Sequence, residues 1–231
     1  MKEYIKETSR KKKEYYLYNV PIHIIHPFLD HINIDEVIEE VKKSIPYKFV
    51  QGLDVIYIGE FPELDARKIS AMFIDGAIYL SSFNDFPEVS EEIIIKDIIH
   101  ELAHMLEDRF GSEIYSDGRI FNEYNGKKKR LVSMLRASGL SFSGMGSLFF
   151  SEDRVDELDD FLLKQLGYDK LSLMTAGLFL SPYSVTSIRE YFANGFEEFV
   201  RGEADYLKEV NPILFDKIKE LFTKGENDGW I

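Results

Sequence analysis

Two imidazoles four residues apart, with a carboxylate between them, are the residues of this chain best suited to chemistry: His100-Glu101-Leu102-Ala103-His104. On a helix such histidines face one way and can share a metal ion, and the intervening glutamate is placed to act on whatever the ion holds. That HExxH pattern is the local chemistry of a zinc hydrolase. Five residues with three fixed positions also recur by chance, so their setting has to decide.

Projected at about 100° per residue with His100 at zero, His104 falls near 40° and Glu101 near 100°. Ile94, Ile95, Ile98, Ile99, Leu102, Met105 and Leu106 fill a separate arc from roughly 120° to 260°. One face is therefore core, and the two histidines and Glu101 share another. Ser90, followed by Glu91 and Glu92, predicts the start of this helix, and Gly111 its end. Asp108 and Asp97 project near 80° and 60°, close enough in angle to orient a ligand histidine.

The chain has five histidines, at positions 23, 26, 31, 100 and 104, so none follows the motif. A metzincin needs glycine three and histidine six residues after the second motif histidine, where this chain has Glu107 and Phe110. A catalytic zinc site takes three protein ligands and keeps one open position. The third ligand is then a carboxylate or an upstream histidine. Residues 188–200 supply a carboxylate candidate: about Glu190 on a helical wheel cluster Asn194, Glu197 and Arg201, opposite Phe192, Phe196, Phe199 and Val200. Seven residues earlier, in a turn-rich approach, Tyr183 offers a hydroxyl that could donate to an oxyanion, and Thr186 or Ser187 can cap the helix.

HELAH followed by Tyr-Ser-Val-Thr-Ser-Ile-Arg-Glu-Tyr-Phe-Ala-Asn-Gly-Phe resembles the gluzincin metallopeptidases related to the anthrax lethal factor catalytic domain and the Pro-Pro endopeptidases. The resemblance spans residues 45–222, with only the two motifs specific. It implies one Zn2+ held by His100, His104 and Glu190, Glu101 as general base, and Tyr183 assisting catalysis. Where that family often has a second acid, four residues after the third ligand, this chain has Asn194, an amide that can hydrogen-bond but cannot take a proton as a carboxylate does. The spacing between the motifs is also longer than in the lethal-factor type.

The expected fold is α+β and zincin-like, a single metallopeptidase domain over residues 1–231. An N-terminal lobe, residues 20–111, holds a small mixed sheet and the HExxH helix, and a mostly helical lobe, residues 112–224, brings the third ligand. The spacing predicts a helix over 35–43, strands over 48–50 and 54–58, and a hairpin of 69–74 and 77–81 joined by Asp75-Gly76. An edge strand of that hairpin is expected over the cleft, pairing with an extended peptide or protein substrate. Residues 139–147 read as a glycine-rich loop, 153–167 as an amphipathic helix, a last helix starts at Pro212, and 224–229 read as a tail.

The expected function is a zinc-dependent metalloendopeptidase in which a zinc-activated water attacks the peptide bond and Glu101 carries the proton. The alternative is a catalytically silent zinc-binding protein that uses the scaffold to hold a peptide or protein. An aminopeptidase ranks low, since no GAMEN-like sequence anchors a free amine. A net charge of −13 opposes nucleic acid or an anionic membrane as partner. The basic runs 10–13 and 127–130 read as solvated loop or helix ends. The absence of cysteine excludes disulfides and thiol chemistry. With no apolar N-terminal stretch and no apolar run of membrane-spanning length, the cytoplasm is favoured over secretion without excluding it.

Overall fold

A computed structural model describes residues 14–26, 32–82, 89–140, 145–151, 154–202 and 204–227. The predicted sites lie among them; His31, the basic run 10–13 and the middle of the glycine-rich loop, 141–144, lie outside. The chain is mixed α and β and divides into two compact units, Met1–Ile98 and Ile99–Ile231.

The first unit is built on a five-stranded mixed sheet in the order β1-β2-β3-β5-β4. Its strands are β1 (Tyr15–Leu17), β2 (Val20–Ile24), β3 (Val55–Gly59), β4 (Ala71–Ile74) and β5 (Ala77–Ser81). β2, β3 and β5 run parallel, while β1 and β4 are antiparallel to their neighbours. Period-two alternation sends Ile56, Ile58, Ile78 and Leu80 into the core, each at most 2% exposed. The other face carries a row in register, His23, Tyr57, Tyr79 and Met72, with the two tyrosine rings stacked at 5.3 Å. Asp75 and Gly76 both adopt positive φ, 49° and 78°, the geometry of a type I′ turn.

Helix α1 (Ile34–Ser44) joins β2 to β3 and buries Ile34, Val37, Ile38 and Val41. Asn33 caps its start by accepting from the Glu36 amide, and its end is pinned where the Tyr18 hydroxyl donates to the Lys42 and Ile45 carbonyls. Residues 48–50, expected as strand, fall on a 3-10 turn (Tyr47–Phe49) and its cap Val50, with Phe49 buried; Pro46 before it and Gly52 after it, at φ 95°, leave no length for a strand. Two short strands, β1 and β2, arise where no strand was anticipated. Helix α2 (Pro62–Arg67) leads to β4.

Helix α3 (Glu91–Tyr115) carries the HExxH residues. It does not stop at Gly111: it kinks at Phe110 and continues, because Ile114 is wholly buried and the chain turns only at Gly118, φ 68°. The second unit then adds α4 (Arg119–Ala137), α5 (Asp156–Asp159), a π-helical stretch (Asp160–Gly167), α6 (Tyr168–Thr175), α7 (Ile188–Arg201), α8 (Ala204–Val210) and α9 (Pro212–Asn227). Residues 224–227, expected as tail, belong to α9, and 228–229 lie outside the described residues.

One carboxylate ties three of these helices. Glu123 on α4 accepts from the Tyr191 hydroxyl on α7 and from the Ile213 and Leu214 amides that open α9. Helix α7 then packs on α9 so closely that a Cβ at Gly195 would come within 2.3 Å of Leu214 Cδ2. The basic run 127–130 is solvated only at Lys129 and Arg130, and it is not a helix end. It lies mid-helix: Lys127 Nζ donates to the Leu178 and Val210 carbonyls, and Lys128 is wholly buried.

Burial pushes Lys128 down to about 8, with Asp159 opposing, while its ammonium sits 4.7 Å from the Tyr124 ring. Between that value and the ordinary 10.5 the unfolded chain holds a proton that the folded chain releases, so native stability rises with pH across this window. Lys128→Met removes the dependence. We expect it to be more stable than wild type at pH 7, the advantage shrinking by about 3 kcal/mol as pH rises to 10.5 in urea titrations.

Candidate metal centre

The three ligand candidates meet, and all of them belong to the second unit. His100, His104 and Glu190 each offer one atom, and these atoms lie within 4.8 Å of one another. His100 Nε2 is 3.2 Å from Glu190 Oε2, and His104 Nε2 is 3.7 Å from Glu190 Oε1. The imidazole rings stand nearly perpendicular, 81° apart with centroids at 5.0 Å, so their Nε2 atoms converge without the rings colliding.

Local structure explains the convergence. Four-residue spacing brings both histidines to one side of α3, whose opposite side buries Ile98, Ile99, Leu102, Met105 and Leu106. Glu190 is in the first turn of α7, where a carboxylate favours the helix dipole. Ser187 caps that turn, its hydroxyl accepting from the Glu190 amide at 3.1 Å. Behind the ligand, Tyr191, Phe192, Ala193 and Phe196 are fully buried and fix the rotation of α7.

The outer nitrogens of the rings face carboxylates of their own. His100 Nδ1 is 3.6 Å from Glu197 Oε2, and His104 Nδ1 is 3.5 Å from Glu107 Oε2. Burial works against charge on His100, but Glu190 and Glu197 outweigh it and lift the ring to about 10. His104 behaves likewise: burial opposes, Glu107 and Glu190 prevail, and the ring rises to about 9. Burial would raise Glu190, yet its contacts with both rings hold it well below the ordinary carboxylate range. Glu101 is 7% exposed, and its charge also acts on His100. Four carboxylates around two imidazoles form an environment that a dication suits, and two nitrogens with a carboxylate oxygen are an ordinary donor set for a transition metal.

The remaining predicted residues take other places. Tyr183 lies on a 3-10 turn (Pro182–Val185), 49% exposed, its ring 6.1 Å from that of Tyr168. Burial, then Tyr168, raises its hydroxyl, and Asp159 and Glu190 add to the rise while Arg154 opposes it. Asp108 points at Arg189 Nη2, at 2.8 Å. Asn194 accepts from the Ser181 hydroxyl and donates to the Glu190 carbonyl, bracing the backbone of the ligand.

The carboxylates that do reach the histidines are Glu107 and Glu197, to neither of which the sequence reading gives that role. Both were visible there: Glu107 projects about 20° from His100, on the ligand face of α3, and Glu197 is two turns beyond Glu190. Arg189, which bonds Glu107, falls off the polar face of its helix, and Tyr115, the other partner, lies beyond the helix end expected at Gly111.

The geometry carries a direct expectation. Calorimetry with divalent transition-metal ions should give one site per chain, and Glu190→Ala should weaken it at least tenfold while far-UV circular dichroism stays unchanged. No protein-family model, no curated protein and no solved structure matches the chain, so these residues and distances carry the assignment alone.

Proposed function

We propose that the chain is a zinc-dependent metalloendopeptidase of gluzincin type. The observation that carries this reading is the meeting of His100, His104 and Glu190 beside a buried Glu101. Two imidazole nitrogens and one carboxylate oxygen are a donor set that catalytic zinc uses, with the fourth position left to water or substrate. Bound there, zinc supplies a Lewis acid that polarises the scissile carbonyl and makes water acidic enough to attack near neutral pH.

The protein's own groups do the rest. Glu101, one residue from the first ligand, takes the proton of the attacking water and passes it to the leaving amine. Tyr183, half exposed and kept protonated by its surroundings, donates a hydrogen bond to the carbonyl oxygen as negative charge grows on it. Asn194, donating to the Glu190 carbonyl, steadies the backbone that carries the third ligand.

The substrate is an extended peptide segment. Among the described residues β4 lies at one end of the sheet, next to β5, and an end strand is where an extended segment can be added by backbone pairing irrespective of sequence. Among the described residues no helix is long and apolar enough to cross a membrane.

The test uses a mixture of unrelated peptides and the zinc-loaded chain, with and without chelator. Cleavage that chelator blocks is expected for wild type. Glu101→Gln should keep stoichiometric zinc and lose hydrolysis by three or more orders of magnitude, whereas Tyr183→Phe should lower kcat about a hundredfold and leave zinc in place. Full activity in Glu101→Gln would remove the general-base assignment; zinc uptake without any chelator-sensitive cleavage would leave a binding protein.

A further inference from the structure

We propose that Arg189 and Glu107 act as one positioning unit for His104, the guanidinium holding the Glu107 carboxylate against the outer nitrogen of the ring so that Nε2 faces the metal. The proposal rests on the metal reading above, and concerns residues that neither the motif nor its spacing brings forward.

Glu107 is closely held: its side chain is 5% exposed, and Tyr115, Arg189 and His104 all approach its carboxylate. Oε1 accepts from the Tyr115 hydroxyl, two turns further along α3. Oε2 accepts from Arg189 Nε at 3.0 Å and lies 3.5 Å from His104 Nδ1. The second arm of the guanidinium, Nη2, reaches Asp108 Oδ1 at 2.8 Å. Two adjacent carboxylates thus clasp one planar fork, a geometry that arginine can satisfy and lysine cannot.

The consequence for His104 follows from imidazole chemistry. A neutral ring that binds a metal through Nε2 must carry its proton on Nδ1. Nδ1 of His104 is buried and makes no hydrogen bond of good geometry, so the approach of Glu107 is what selects that tautomer. A carboxylate free to rotate would select it poorly. With Tyr115 on one oxygen and Arg189 on the other, the Glu107 plane is fixed, and the ring facing it is fixed in turn.

Arg189 also has a special address: it immediately precedes Glu190. The backbone step that delivers the third ligand from α7 therefore delivers the cation that orients the second ligand on α3, 82 residues earlier for the Arg189–Glu107 bond. An ordinary surface ion pair would contribute little, but this one ends on a buried carboxylate in contact with a ligand ring. The outer nitrogen of His100 faces a different carboxylate, Glu197, so the Arg189–Glu107 pair acts on the His104 ring.

The experiment measures zinc affinity by competition with a chromophoric chelator for wild type, Arg189→Met, Glu107→Gln and the double variant. On the zinc-loaded proteins, NMR reads the Nδ1–H resonances of both ligand histidines. Each single variant is expected to bind zinc 10 to 100 times more weakly, and the double variant no more weakly than the worse single. The His104 Nδ1–H resonance should move in each, with that of His100 unchanged. Arg189→Lys should recover little, since it restores charge without the fork; it and Glu107→Asp also carry the test if the larger changes unfold the chain. Affinities within threefold of wild type, additive losses, or both histidine resonances moving together would overturn the proposal. Stoichiometric zinc in wild type with unaffected variants would sink this inference alone, whereas no zinc in wild type would remove the reading beneath it as well.

Discussion

The structure around His100, His104 and Glu190 depends on keeping acids inside the protein. Glu101, Glu107 and Glu197 are each no more than 7% exposed, and Glu190 is buried for most of its surface against two imidazoles. An isolated buried carboxylate would take up a proton rather than tolerate the loss of water. Here Arg189 and Tyr115 bond Glu107, and imidazole nitrogens face Glu190 and Glu197. The elements meeting at this point are consequently held by charge as much as by packing, and their apolar faces serve to aim the charges.

The packing that does the aiming is dense and aromatic. Tyr124, Phe179 and Tyr191 form one cluster, and Phe196, Phe199, Phe215 and Phe222 another along the contact of α7 with α9. Large rings have few rotamers, so a helix seated in them has little freedom to rotate. A rotation of α7 by one residue would swing Glu190 about 100° from the imidazoles. The absence of a side chain at Gly195, where Leu214 fills the space, belongs to the same mechanism.

How much of this was legible follows the kind of signal each part emits. Patterns of period 3.6 and 2 are local, and the HExxH helix, the Asp75-Gly76 hairpin and the start of α9 at Pro212 stand where periodicity and turn chemistry put them. The meeting of Glu190 with the histidines was readable because a polar face on an otherwise apolar helix needs a reason. Tertiary context decided the rest. Lys127 and Lys128 look like surface charges in a basic run, yet their neighbours offer carbonyls and an aromatic face that no local pattern reveals. Gly111 looks like a stop, but Ile114 has a buried seat that carries the helix onward. Asp108 and Glu107 both project near the histidines, and only the folded structure separates them: Glu107 lies against the His104 ring while Asp108 turns to Arg189.

Ser187 is a small feature with a wide reach. By capping α7 three residues before the ligand, it makes the position of Glu190 a property of where that helix begins. In an unfolded chain the two histidines remain neighbours, but the carboxylate is separated from them by most of a hundred residues and has no fixed address. Only the native fold therefore presents a complete set of donors, and the unfolded chain can offer an ion little more than two imidazoles. On the metal reading proposed above, metal content becomes a measure of how much of the population is folded, and a bound ion in turn shifts that population towards the native state.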